Sequence, residues 1–481
     1  MLGTLIEKEL KAILLSPKFT AVFAVCSILI VLSIYIGIEE YKASITHYET
    51  VNAQFDQRMK DETNWMGLST GVNRHPDPMQ IFISGINNDI GRSAPINQAG
   101  TIKLYNSNYS ENTVFAVFRS MDLMFIVQIV LSLFAVLFTY DAINGERESG
   151  TLKLSFANPV PRGNYILAKL IGSWLGLVIP LMIPLLLGIA MVMFFKIPMT
   201  GTHWLKLSML TGLSVLYFSF FICLGLLVSS LTKGSSGSFL YLLVIWVSFV
   251  LIIPRAGVMV AGQFVPVPTA AEISSKLNKK SREMTDQLSE LSKERQKSLT
   301  ARYQGLQDLP PEERAARMRE VIDKYLAEMG EEREKIARKI AQYDASLNEE
   351  WRNRKNERER LGFSLSRFSP ASAFQLAAME IAETGTGLKI NYEDQMRTYS
   401  DIFNKFRAKK AAETGNGGMM ILGNAGDQKQ LDLSEVPRFE FTNKDLGKIM
   451  QTTMLDTGII SVYIFLIMGC TFIAFLRYDV R

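Results

Sequence analysis

Residues 121–170 read MDLMFIVQIVLSLFAVLFTYDAINGERESGTLKLSFANPVPRGNYILAKL. The first twenty are mostly apolar and match the roughly 20 residues that a helix needs to cross a bilayer. A second apolar run, IGSWLGLVIPLMIPLLLGIAMVMFF, follows directly. A plain connector between two spans needs only a few polar residues. This one sets Glu146, Arg147 and Glu148 between Gly145 and Gly150, and then offers Thr151, Leu152, Leu154 and Phe156 as an amphipathic edge. A basic patch at Arg162 and Lys169 closes it. Such a loop suits the groove of a partner protein.

Working outward, six segments approach span length: 17–38, 120–140, 170–195, 208–230, 238–254 and 457–476. A charge at mid-membrane costs on the order of 2.5–3.5 kcal/mol on insertion scales, and these interiors read as nearly free of charge. Intramembrane acids or bases of the kind ion pumps need are not found well inside a span. Gln128 is expected to hydrogen-bond another helix. Pro180 and Pro184 are expected to kink the third span. The first run has full span length and is followed by Glu39, Glu40 and Tyr41 where a signal peptide would have small residues, so it reads as a retained span. Lys/Arg in the short loops set the orientation. Lys8, Lys11, Lys18, Arg147, Lys153, Arg162, Lys169, Lys233, Arg477 and Arg481 fall on one side, against Lys196 and Lys206 on the other. The richer side is the cytoplasmic one. Both termini, the 141–169 loop, the 231–237 loop and the 477–481 tail are then cytoplasmic, and the insertions 39–119 and 255–456 face out.

Ahead of the first span, residues 1–16 place Leu2, Leu5, Ile6, Leu10, Ile13 and Leu14 on one helical face, with Glu7, Lys8 and Lys11 elsewhere. That pattern predicts an amphipathic helix lying along the membrane. In the first insertion, MQIFISGI (79–86) and TIKLY (101–105) are strand-like runs between turn residues, which predicts a small α/β outer cap. The second insertion carries a sparse stripe, Ile273, Leu277, Met284, Leu288, Leu291 and Leu299, up to a break at Pro310-Pro311. Met318, Ile322, Tyr325, Met329, Ile336, Ile340, Tyr343 and Leu347 follow at heptad spacing. A helix over 312–360 would be about 70 Å long. The two stripes predict an antiparallel coiled-coil hairpin over 270–361. Beyond Ser369-Pro370, ASAFQLAAMEIAE and the stripe Leu388, Tyr392, Met396, Tyr399, Phe403 and Phe406 are expected to return the chain to the membrane surface.

The chemistry of the chain points away from catalysis. It has 481 residues, 48% of them hydrophobic and 21% charged, with a net charge of +5. Its most charged block, 272–360, is nearly balanced in sign, unlike the one-signed patch of a nucleic-acid binder. Cys26, Cys223 and Cys470 each sit in a different apolar run, and His47, His75 and His203 stand singly, so neither a reactive thiolate nor a metal site is indicated. No GxxxxGK[ST] loop occurs. The fold class expected is a mainly α polytopic membrane protein of six spans, with the hairpin and cap outside.

The inner loop resembles a known family. The pattern D-x-I-x-G-E-R-E-x-G-T-L is formed by Asp141, Ile143, Gly145, Glu146, Arg147, Glu148, Gly150, Thr151 and Leu152. Asn158, Pro159, Val160, Arg162, Ile166, Leu167 and Lys169 continue it. Together they resemble the permease subunits of type 2 ABC (ABC-2) transporters, and EKELKAILLSPKF (7–19) resembles the same family's connecting helix. The resemblance covers a little under half the chain, and the insertion ending in RFSPASAF resembles a subgroup with a large outer domain. It implies the permease of an ATP-driven exporter in a bacterial inner membrane. A second permease, identical or paralogous, would pair with it, and two copies of a separate ATPase would bring ATP and Mg, leaving no cofactor on this chain. The 141–169 loop would be the coupling helix, docking the ATPase through Glu146, Arg147, Glu148, Gly150, Thr151 and Leu152. The outer hairpin leaves room for an extracytoplasmic protein partner. The alternative class is a non-transporting membrane scaffold whose coiled coil recruits such a partner.

Overall fold

A computed structural model describes residues 2–65, 67–87, 91–96, 122–157, 160–304, 310–413 and 431–477. Helix dominates, and among the described residues six helices are long and apolar enough to cross a membrane. Span 1 is Pro17–Asp61, with Ser16 capping it by accepting the Phe19 N–H. It runs well past the expected end at 38. The apolar run stops there, but no Gly or Pro occurs between 39 and 61 to break the hydrogen-bond ladder. Span 2 comprises Leu123–Phe125, a π turn at Ile126–Leu131 and Ser132–Thr139. Span 3 (Arg162–Phe194) continues as helix through both prolines. Span 4 is Gly201–Leu231 and span 6 is Leu446–Leu476. Span 5 is Ser235–Phe264, interrupted by a second π turn at Ser248–Ile252.

A π turn releases backbone carbonyls from the regular ladder. Here side chains meet them: Gln128 O accepts from Tyr217 Oη at 3.0 Å and from Ser132 Oγ at 2.6 Å, and Phe249 O accepts from the Ser369 hydroxyl. The contact found at Gln128 therefore uses its carbonyl, where an amide side-chain bond was expected.

The helix Pro370–Ile381 corrects the sequence reading. Far from lying on the surface, it is buried within the bundle: Ala371, Ala373, Phe374, Ala377 and Ala378 are fully covered, and the Phe374 ring stacks on Tyr217 at 4.5 Å. Its alanines let neighbouring helices approach closely, as small residues do between membrane helices. Beside it, Arg367 holds Asp456 through Nε at 2.6 Å, and Asp456 is 2% exposed. Asp456 lies within the helix Leu446–Leu476, directly before the apolar run 457–476.

The N-terminal helix Leu2–Leu14 packs against span 3; of the expected apolar face Ile13 is buried and Leu2, Leu5, Ile6, Leu10 and Leu14 are half-buried. A Cβ at Gly172 would stand 2.5 Å from Glu9 Cβ, and one at Gly176 would stand 3.3 Å from Ile13 Cδ1. The two glycines are four residues apart and form the small-residue groove that admits a second helix. Gly172→Leu is expected to cost about 1–3 kcal/mol by overpacking and to expose residues 2–14 to protease. Gly212→Leu, whose Cβ meets nothing within 4 Å, should leave the digestion pattern unchanged. Equal patterns in the two variants would remove the groove from the account.

Outside the spans, Thr70–Asn73 and Ser93–Ile96 pair antiparallel, with Thr70 opposite Ile96. They share a core with Trp65, Leu388, Tyr392, Met396, Tyr399 and Phe403. The stripe on helix Thr386–Glu413 thus packs into the core of the cap. The strand expected at 79–86 is replaced by a 3-10 turn, Pro78–Ile81, started by Asp77 accepting the Met79 N–H. Residues 78–83 are buried without alternation, so a half-buried strand was the wrong template. The run 101–105 lies outside the described residues.

Residues Arg255–Ser366 form a separate compact unit. Within it Ala270–Gln304 and Pro311–Ser366 form a helical hairpin in which Arg295 pairs with Glu328. The expected seam is its least exposed face. Met329 and Leu347 are buried, Met318, Tyr325, Ile336, Ile340 and Tyr343 are half-buried, and Ile322 is exposed.

Candidate functional site

The 141–169 loop folds as two short helices, Asn144–Glu148 and Thr151–Ala157. Gly150 joins them at φ +77°, a left-handed conformation that other residues adopt only with strain. Beneath them Ile143, Leu152, Tyr165, Ile166 and Phe475 make a small apolar core, with Tyr165 stacked on Phe475 at 5.2 Å. Leu152 belongs to this floor and is 1% exposed.

Glu146 points inward as well. It accepts Lys8 Nζ at 2.8 Å, Lys169 Nζ at 2.9 Å and Tyr165 Oη at 2.6 Å. Lys169, whose side chain is 4% exposed, also meets Glu9 at 2.8 Å. Two ammoniums and two carboxylates balance, which is what allows so polar a cluster to be buried. Burial still pushes the Glu9 carboxyl above the ordinary carboxylate range, against the pull of Lys169.

The loop reaches all six spans. Lys18 of span 1 lies 3.5 Å from Asp141, and span 2 leads into the loop directly. Tyr165 and Lys169 belong to span 3. Ser229 Oγ of span 4 accepts the Ile143 N–H at 3.0 Å, and Asn144 Nδ2 donates to Thr232 Oγ1 at 2.7 Å. Glu148 accepts the Ser235 N–H and hydroxyl at 2.7 and 2.8 Å, capping the start of span 5. Arg162 Nη1 donates to Leu476 O of span 6 at 2.5 Å. On the opposite side the loop presents Arg147, Gly150, Thr151, Lys153 and Leu154, the last 71% exposed. The exposed edge and the bonded base thus belong to one short loop.

Residues 4–480 match the family described as ABC-2 family transporter protein. The chain belongs to the ABC-2 transporter family. No curated protein matches it. As an ABC-2 permease it is a multi-pass membrane protein, the transport component of an ABC transporter, and it associates with an ABC ATPase.

Of the six residues assigned to docking in this permease, Glu146 and Leu152 face its own interior and Glu148 clamps the second inner loop. Arg147, Gly150 and Thr151 face out. In the basic patch, Lys169 is buried in the charge cluster and Arg162 bridges spans 3 and 6. Sequence reading missed Lys8, Glu9, Tyr165, Ser229 and Ser235. Glu9 left one trace, as a carboxylate on the apolar face of the first helix, and Gly172 and Gly176 left another.

Proposed function

We propose that this ABC-2 permease is the membrane half of an ATP-driven exporter, paired with a second permease, with two ATPase subunits on the 141–169 side and both chain termini cytoplasmic in a bacterial inner membrane. ATP and Mg act on the ATPase. The observation that supports this reading is the loop's two-sided construction, with an exposed edge at Lys153 and Leu154 and a base bonded to every span. An ATPase gripping the edge moves the spans through Glu146 and Glu148, whose bonds transmit displacement. The cap and hairpin leave room for an extracytoplasmic protein partner.

Affinity purification in mild detergent tests the partnership, and single-cysteine labelling tests the orientation. The retained proteins are expected to include a Walker-type ATPase. In intact cells an impermeant maleimide should label a cysteine at position 401 and spare one at 233, following the distribution of basic residues. Absence of an ATPase, or the reverse labelling, overturns the corresponding half of the reading.

A further inference from the structure

Between spans 3, 4 and 6, toward the ends that meet the 141–169 loop, lies a cavity of about 430 Å³. Leu167 and Leu170 of span 3 form one wall, Met468 and Phe472 of span 6 the other, and Cys223 and Leu226 of span 4 the back. Among the described lining residues the only hydroxyl, Thr471 Oγ1, already donates to Ile467 O at 2.7 Å. Water needs two to four polar partners to occupy a buried space, and this lining offers little beyond the lone pairs of that one hydroxyl. An empty void would deprive its walls of dispersion contacts. Leu167 and Phe472 are 38% and 40% exposed, so the cavity is open to the outside of the helices, where in a membrane hydrocarbon chains would be the available filler. At its loop end Arg162 stands one turn before Ile166, and Arg477 is exposed one turn after Ile473.

We infer that this cavity binds one anionic phospholipid of the leaflet nearest the loop, with an acyl chain between spans 3 and 6 and its phosphate on Arg162 and Arg477. The cationic rim selects the head, because the chain gains only packing over its place in the free bilayer. A bound chain props apart the two spans that Arg162 and the Tyr165–Phe475 stack draw together, and so sets the spacing beneath the loop. The inference rests on the membrane reading alone and is independent of ATPase docking.

The full chain is reconstituted into vesicles of phosphatidylcholine and phosphatidylglycerol containing a trace of phosphatidylglycerol with a photoreactive acyl chain. After irradiation, adducts are mapped by peptide mass spectrometry. Adducts are expected to concentrate on Leu167, Leu170, Met468 and Phe472 over Leu240 and Val244, which are exposed on span 5. Gly469 lines the cavity, and a Cβ there meets nothing within 4 Å. Gly469→Trp should therefore fill the space and lower the cavity adducts about tenfold, leaving those on span 5 unchanged. Gly469→Leu, a smaller filler, should give an intermediate loss and serves if the Trp variant does not fold. Arg162→Gln with Arg477→Gln should lower labelling by the phosphatidylglycerol probe to the level of a phosphatidylcholine probe. Evenly spread adducts, cavity adducts indifferent to both Gly469 variants, or cross-links through this face to a second copy of the chain would overturn the assignment. Equal labelling of the unaltered chain by the two probes would overturn the role of the two arginines.

Discussion

Reversing Glu146 to Lys should release the N-terminal helix from span 3. Lys169 is held between Glu9 and Glu146, and Lys8 reaches the same carboxylate. The substitution would place three ammoniums around Glu9 alone, in a site where the Lys169 and Glu146 side chains are 4% and 14% exposed. Removing one partner from a buried pair costs about 3–5 kcal/mol, because the other charge is left uncompensated. Hydrogen exchange in residues 2–14 should rise sharply, and thermal unfolding should begin lower. Glu7→Gln, at a residue whose one ion pair among the described residues is with the exposed Lys11, should change neither. Unaltered protection of residues 2–14 in the Glu146→Lys variant would mean that the cluster does not hold that helix. A loss of ATPase binding in this variant alone would therefore not identify Glu146 as a docking residue, since its side chain faces the permease's own interior.

The second large effect is expected at Asp456. Its side chain is 3% exposed and its one ion-pair partner among the described residues is Arg367, which leads into the buried helix Pro370–Ile381. Asp456→Leu leaves that guanidinium, whose side chain is 30% exposed, without its carboxylate, at a cost of about 1–3 kcal/mol. Replacing both residues, Asp456→Leu with Arg367→Met, removes the stranded charge and should recover most of the loss, as buried pairs do when exchanged for apolar side chains of similar size. Thermal unfolding of the purified protein in detergent gives the comparison. A double variant as unstable as the single one would show that the charge pair is not what secures the helix.

The bundle was legible because hydrocarbon imposes a simple rule: about 20 apolar residues per crossing, with all backbone groups bonded within the helix. What that rule leaves out is where the misreadings fall. Span 1 outruns its apolar run because helical hydrogen bonds persist through polar sequence. Pro370–Ile381 looks amphipathic in isolation, and its burial depends on Tyr217 and Phe249, far away in the chain. Asp456 directly precedes the apolar run 457–476, and its pairing depends on Arg367, 89 positions away. The inner loop was recognisable as a functional element from its own residues. Which of its side chains turn inward was not, since the partners of Glu146 come from positions 8, 165 and 169. Leu152 and Leu154 are alike in the sequence, and only the floor built by Tyr165 and Phe475 separates them, at 1% and 71% exposed.

That contrast supplies the most direct test of the proposed docking edge. A photoreactive benzoylphenylalanine is placed at Leu154, and in separate proteins at Leu152 and at Leu205, which is 46% exposed near the far end of span 4. The assembled transporter is irradiated in membranes, and adducts with the ATPase are measured by mass spectrometry. Strong cross-linking to the ATPase is expected from position 154 and none from 205, with position 152 yielding only adducts inside the permease. An ATPase retained in full but never cross-linked from 154, or cross-linked equally from 205, would contradict the claim that this edge is where it docks.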